Sequence, residues 1–398
     1  MALILMLAIP CASFGLGHSL ARPSARPAAS TVPSHVVRLP SPVMTDDGSR
    51  GGLRVLEWIP SQKALVTTAR FTWTTLWRTM LSELAPQSPD GAYVRPAPQT
   101  GSGAEWPKSL PAVAGRYHVY VGNACPWCHR VSITLALRQQ SGAISSTTLD
   151  DNPERASRGG WCFDRGDPDP LCGAADLKAV YDACTPGGYT GRCTAPLLVD
   201  LKTSTIISNE SADIIRMLNS LRLPASGRVV DLYPPELAAG IDATNAWTYE
   251  LINNGVYRAG FATQQKAYER AEADVHAGWA RCDEALSKAR FLCGDAVTEA
   301  DVRLLPTAAR FDGVYASFFR CGRKLIRADY PHVARWLSEM LALDPSVSST
   351  FDLVGARRSY YTNLFPLNPG GIVPAGPELA AVTAAAERDE SAFTWREL

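Results

Sequence analysis

Hydrophobic and polar positions follow different rhythms in successive parts of the chain. From Leu65 to Leu84, apolar and aromatic residues (Phe71, Trp73, Trp77, Met80, Leu81) recur at helical spacing. Tyr117-His-Val-Tyr-Val121 is a short run of β-formers and predicts a strand. Val131 to Gln139 suits a helix, and Leu197 to Val199 with Ile206-Ile207 predicts two strands joined by a polar turn. Asn209 then caps a helix with Ile214, Ile215 and Leu218 on its apolar side. A βα…ββα order of this kind predicts a small α/β domain with a mixed sheet.

From Pro235 onward the pattern becomes helical, through Ile241, Trp247, Leu251, Trp279 and Leu286, and again around Trp336 and Leu337. Thr298-Glu-Ala-Asp301 has the spacing of a capping box ahead of an apolar helix, a structural device with no chemistry of its own. Gly91 to Pro111 reads as a Pro/Gly/Ser linker, the C-terminus is a Gly/Pro-rich tail, and no internal repeat is visible. The expected organisation is an extension and linker over 46–110, an α/β domain over 111–225, an all-helical domain over 226–345 and a tail over 346–398.

Composition narrows the function. The 398 residues carry 39 Lys plus Arg against 39 Asp plus Glu, so no basic surface points to nucleic acid. No apolar run reaches the roughly 18 residues needed to span a bilayer. Residues 1–45 look like a targeting leader: an apolar run from Ala2 to Pro10, then an Arg/Ser-containing stretch with no acidic residue before Asp46. The two in series suggest a bipartite leader of the kind used for plastids reached through the secretory route. A mitochondrial or simple secretory leader, or a plain tail, is the alternative.

Of the ten cysteines only Cys125 and Cys128 are closely spaced, and no second tight Cys/His pair suggests zinc, so no metal is expected. The others read mainly as buried free thiols acting as small hydrophobes. Cys125-Pro126-Trp127-Cys128 falls where the strand gives way to the helix. There the free N–H groups and dipole of the first turn favour a thiolate at Cys125. Pro126 suits the first helical position, and His129 and Arg130 would add positive potential. A C-x-x-C pair in this setting resembles the thioredoxin-fold redox motif, against the alternative of two structural thiols.

Thr194-Ala195-Pro196 precedes the second strand pair. A cis-proline opposite the cysteine would leave the preceding backbone free to pair with a bound peptide; an ordinary edge-strand proline is the other reading. At Asn209-Glu210-Ser211, unpaired helix N–H groups suit a carboxylate and Glu210 suits an ammonium, as at the γ-glutamyl end of glutathione, although capping alone would also explain them.

These motifs occur in order with Gly160-Trp-Cys-Phe-Asp164, Tyr189-Thr-Gly-Arg-Cys-Thr-Ala-Pro196 and Ser208-Asn-Glu-Ser-Ala-Asp-Ile-Ile-Arg-Met217. Further on come Asn253-Asn-Gly-Val-Tyr-Arg-Ala-Gly-Phe-Ala262, Arg310-Phe-Asp-Gly-Val-Tyr315 and Asn368-Pro-Gly-Gly-Ile-Val-Pro374. The set, spanning about Gly115 to Pro377, resembles the glutathionyl-hydroquinone reductases, the Xi class of glutathione transferases.

The resemblance implies a glutathione transferase fold, with an α/β thioredoxin-like N-terminal domain and an all-α C-terminal domain, commonly as a homodimer. It implies reduction of glutathionyl-hydroquinones by a second glutathione, with Cys125 as nucleophile. Trp161, Arg192, Ala195 through its backbone, Glu210 and Ser211 would hold glutathione, while Tyr257 and Tyr315 would face the hydroquinone ring; helical core packing is the plainer reading of those tyrosines. Three features depart from the family pattern. Cys128 stands where Ala is familiar and opens a dithiol route, Ala195 stands where Val commonly precedes the cis-proline, and Ser359-Tyr-Tyr-Thr-Asn363 replaces a more His-containing stretch. The alternatives are a general thiol transferase or dehydroascorbate-type reductase, and a non-catalytic glutathione transferase-like binding protein.

Overall fold

Ten of the twelve residues in the helix after the first strand are buried, because that helix serves two cores at once. The computed structural model describes residues 61–96, 105–223, 230–364 and 366–383. The expected leader over 1–45, with Cys11, lies outside the described residues.

Strands β1 (Tyr117–Gly122), β2 (Ser145–Leu149), β3 (Leu197–Asp200) and β4 (Thr205–Ser208) form one sheet in the order β2-β1-β3-β4. β1 runs parallel to β2 and antiparallel to β3, with Val119 opposite Ser146 and Leu198; β3 and β4 are antiparallel. β1 and β3 are buried throughout, as central strands covered on both faces must be. β2, Ser-Ser-Thr-Thr-Leu, exposes three of its five residues at the sheet edge, and its polar composition hid it from a reading of hydrophobic pattern.

The helices of this half are α2 (Pro126–Leu137), α3 (Leu177–Ala183) and α4 (Ser211–Ser220), while α1 (Gln62–Leu84) lies ahead of the sheet. The expected helix over 65–84 is therefore present as α1, and its end packs into the helical core through Leu81, with Ala85 just beyond it. Asn209 does not cap α4. The cap is Glu210, whose carboxylate accepts from the Ala212 N–H, while Asn209 donates to Tyr181.

The helical half comprises α5 (Ala238–Thr248), α6 (Gly255–Gly260), α7 (Gln265–Leu286) and α8 (Glu299–Arg310). Short turns α9 (Ala316–Phe318) and α10 (Ile326–Asp329) lead to α11 (Pro331–Ala342), α12 (Pro345–Ser348), α13 (Leu353–Asn363) and α14 (Leu379–Thr383). The expected capping box is present, with Thr298 and Asp301 bonded reciprocally at the head of α8. π-helical turns follow α5 at Tyr249–Asn253 and α8 at Phe311–Tyr315. α2 joins the halves: Val131 and Leu135 enter the core on the sheet, and Ile133 and Leu137 enter the helical core.

Candidate active site

Cys125 is the N-cap of α2, in extended conformation, and Pro126 begins the first turn. Its sulfur lies 3.4 Å from the Cys128 N–H, which donates to it, and 3.6 Å from the Ala195 carbonyl oxygen. The Ala195-Pro196 bond is cis, which sets this backbone opposite the thiol. Burial by itself would push the Cys125 thiol up. The Cys128 thiol, the N–H groups of Cys128 and Trp127 and the Arg310 charge outweigh it, and the net effect is to lower it. Cys128 is driven the opposite way, well above its ordinary value, by burial and by the neighbouring sulfur. The pair is thus biased in opposite directions, Cys125 toward the thiolate and Cys128 toward the thiol.

The positive charge acting on Cys125 comes from a residue that the motif did not point to. Arg310, fully buried at the end of α8, donates through Nε to the Ala124 carbonyl (3.1 Å) and through Nη2 to the Asn123 carbonyl (2.6 Å). Its Nη1 donates to His129 Nδ1 (3.0 Å), and His129 Nε2 donates to Thr350 (2.9 Å). Burial and Arg310 hold His129 well below its usual titration, so the expectation that it adds positive potential fails: it is a neutral imidazole that accepts from the arginine. Arg130 donates to Asn253 and the Arg303 carbonyl, with its guanidinium 4.5 Å from the centre of the Trp127 ring.

Two cavities share Trp127 in their walls, one lined by Cys125 itself and the other by Ala195, whose carbonyl the Cys125 sulfur meets. The first, about 250 Å³, is the more polar of the two and is lined by Arg192, Ala195, Asn209, Glu210, Ser211 and others. Four of the expected glutathione-site residues therefore converge. Ser211 and the Ala212 N–H both donate to Glu210 Oε1 (3.3 and 3.0 Å). Tyr93, Arg95 and Pro96 also line this cavity, although they come from the stretch that reads as a linker. That stretch is docked: the Thr263 N–H donates to the Gly91 carbonyl (2.9 Å). Gly91 has a φ of 79°, and a Cβ there would meet Gln264 and Thr263, so only glycine fits without strain. The Arg95 guanidinium lies 4.0 Å from the centre of the Trp127 ring.

The second cavity, about 260 Å³, is largely aromatic and contains Cys125, Trp127, Trp161, Tyr257 and Phe261. Trp161 thus stands on this side, fitted against Gly122, where a Cβ would sit inside its indole ring. Tyr257 lines the cavity, but Tyr315 is fully buried behind it. The residue between them is Tyr360, from the segment that reads as a tail. Its hydroxyl lies 2.6 Å from that of Tyr257 and 3.1 Å from that of Tyr315. Burial raises all three phenols, two of them well above their ordinary value, so each keeps its proton. The departure at Ser359-Tyr-Tyr361 was visible in the sequence, but nothing in it signalled that Tyr360 reaches the cysteine's cavity.

Family models describe two parts of the chain: a glutathione S-transferase N-terminal domain at residues 124–221 and a glutathione S-transferase C-terminal domain at residues 265–339. The glutathionyl-hydroquinone reductase PcpF of Sphingobium chlorophenolicum is 42% identical over 73% of this chain and 91% of its own. Among solved structures, the Xi glutathione transferase of Phanerochaete chrysosporium is similar at a TM-score of 0.66 and 37% identity, over 73% of this chain and 94% of that one. The glutathione-bound structure of the Escherichia coli K-12 glutathione transferase homologue YqjG is similar at 0.64 and 39%, over 73% and 91%. With a low-titrating cysteine at the helix N-terminus, a cis-proline facing it and relatives of this similarity along most of its length, the chain belongs to the glutathionyl-hydroquinone reductases, the Xi class of glutathione transferases.

Proposed function

We propose that the protein reduces glutathionyl-hydroquinones to hydroquinones, with glutathione as reductant and a Cys125–glutathione mixed disulfide as intermediate. The observation that carries this reading is the position of Cys125, a thiol biased toward thiolate in the wall of an aromatic cavity that adjoins a more polar one. Its similarity to the glutathionyl-hydroquinone reductases PcpF and YqjG supports it.

The polar cavity suits the tripeptide. A carboxylate at the head of α4 would lie at the positive end of that helix, and Arg192 would add charge. Glu210 uses one carboxylate oxygen on its own helix, leaving the other for the γ-glutamyl ammonium. The Ala195 backbone would align the peptide beside Cys125. The aromatic ring would then lie among Trp161, Tyr257 and Tyr360.

Chemically, the phenol proton ortho to sulfur is lost while the sulfur-bearing carbon gains a proton, giving a keto tautomer. The Cys125 thiolate attacks the glutathionyl sulfur; the Cys–S bond forms and the C–S bond breaks. Its electron pair restores the ring as a phenolate, which takes a proton. A second glutathione thiolate attacks the mixed disulfide, releases oxidised glutathione and regenerates Cys125. Tyr257 and Tyr360, both protonated, would donate to the oxygen as it becomes carbonyl-like and again as it returns to phenolate, with Tyr315 orienting Tyr360. The size and aromatic lining of the second cavity favour this substrate class over small disulfides or dehydroascorbate.

Incubation of the protein with a glutathionyl-hydroquinone and glutathione should yield hydroquinone and oxidised glutathione in equal amounts. Undiminished turnover in Cys125→Ser would overturn the reading. We extend the proposal to a homodimer and to delivery into an organelle, a plastid foremost. Light scattering of the purified protein and the location of a fluorescent fusion to residues 1–45 test these two points.

A further inference from the structure

Within the aromatic cavity, Asp151 is the single carboxylate among the described lining residues. It follows the edge strand β2 and is tied to α13 at two points. Ser359 Oγ donates to its carboxylate and Asn363 Nδ2 donates to its backbone carbonyl. Ser359 and Asn363 are one helical turn apart and bracket Tyr360, so the carboxylate and the Tyr360 phenol are held on the same short piece of helix. Burial pushes Asp151 up to about 6, which still leaves it ionised at neutral pH.

An ionised carboxylate is acceptor-only, with room for about four hydrogen bonds. In the wall of a largely apolar cavity, it loses hydration that Ser359, Asn363 and its own backbone N–H restore only in part. A ligand supplying a further donor would be favoured there. A ligand offering only acceptors or a methyl group would not.

The proposed substrate has one donor to spare. Its two hydroxyls are para to each other, and the sulfur-bearing carbon is ortho to one and meta to the other. Protonating that carbon turns the ortho hydroxyl into a carbonyl, so the tyrosines serve the ortho position. The meta hydroxyl takes no part in the bond changes.

We propose, on the basis of the hydroquinone reading above, that Asp151 is a specificity-determining residue that accepts a hydrogen bond from the hydroxyl meta to the sulfur. It thereby selects dihydroxy rings over rings in which that position is an ether. The bond exists before and during the reaction, so it acts on KM more than on kcat.

The test compares a glutathionyl-hydroquinone with its monomethyl ether at the meta oxygen, in wild type, Asp151→Ala and Asp151→Asn. Wild type should prefer the parent in kcat/KM by about ten- to a hundredfold, the range for hydrogen bonds to charged groups. Asp151→Ala should erase that preference through a higher KM for the parent. Asp151→Asn, which preserves size and the Ser359 bond, should weaken it and carries the test if the alanine variant does not fold. A preference that survives both substitutions overturns the inference, as does an equal fall in kcat for both substrates, the mark of a purely structural tie to α13. Wild-type turnover of both compounds at equal rates refutes the role of Asp151 and leaves the reductase reading intact. Turnover of neither refutes both.

Discussion

The Tyr360 hydroxyl on α13 lies 2.6 Å from the Tyr257 hydroxyl on α6, 103 positions away in sequence. This contact makes α13 part of the cavity beside Cys125. Tyr360 also meets Tyr315 at 3.1 Å, so the three phenols form a chain whose middle member faces the cavity.

Removing the middle hydroxyl should therefore cost more than removing the last. Tyr360→Phe is expected to lower kcat about a hundredfold, the scale of losing one oriented donor at a developing oxyanion. Tyr315→Phe, which only orients Tyr360, should cost about tenfold or less. Steady-state kinetics on one glutathionyl-hydroquinone give the order, and a larger loss at Tyr315 would contradict it.

The two cysteines should separate cleanly. Cys125→Ser should abolish turnover and the glutathione adduct, whereas Cys128→Ala should retain turnover because its thiol stays protonated and serves as a donor. Without that donor the Cys125 titration moves upward. Since Cys125 reacts as the thiolate, its alkylation by iodoacetamide rises with pH through its titration. The midpoint of that rise should shift to higher pH in Cys128→Ala. An unmoved midpoint would show that the Cys128 thiol does not tune its neighbour.

Arg310 bonds the carbonyls of Asn123 and Ala124, the turn that delivers Cys125 to its helix. Arg310→Met would strand two carbonyls and a histidine nitrogen, each costing about 1–3 kcal/mol when buried and unpaired. Thermal unfolding should fall by several degrees, and Cys125 alkylation at neutral pH should slow. A variant as stable and as reactive as wild type would show that the arginine is dispensable.

Buried histidines, His118 and His129 among them, weaken the fold in acid. Burial lowers His118 to about 4 and holds His129 well below its usual value, so the unfolded chain binds protons that the folded protein refuses. Stability from these groups is complete above about 6.5 and is lost as pH falls from there through their folded-state values. The denaturant midpoint should decline between pH 6.5 and 4, and His129→Asn should flatten the decline. A midpoint independent of pH over that window would contradict the assignment.

The sequence by itself determined what is local. A run of β-formers, then Cys125 and Pro126, then an apolar helix fixes a thiol at a helix N-terminus, because strand, cap and first turn are adjacent in the chain. Glu210 and Ser211 at the head of α4 and the proline at 196 were legible for the same reason, although Glu210, not Asn209, proved to be the cap. The edge strand β2 was not, since a half-exposed strand of Ser and Thr leaves no hydrophobic signature. Only the tertiary structure decided what surrounds the sulfur. Arg310 lies 186 residues from the carbonyl it holds, Asp151 lies 208 from Ser359, and Tyr360 belongs to a helix in a stretch that reads as a tail. Local spacing carries no information about such contacts. Nor does it reveal burial, which turned His129 from an expected cation into a neutral acceptor.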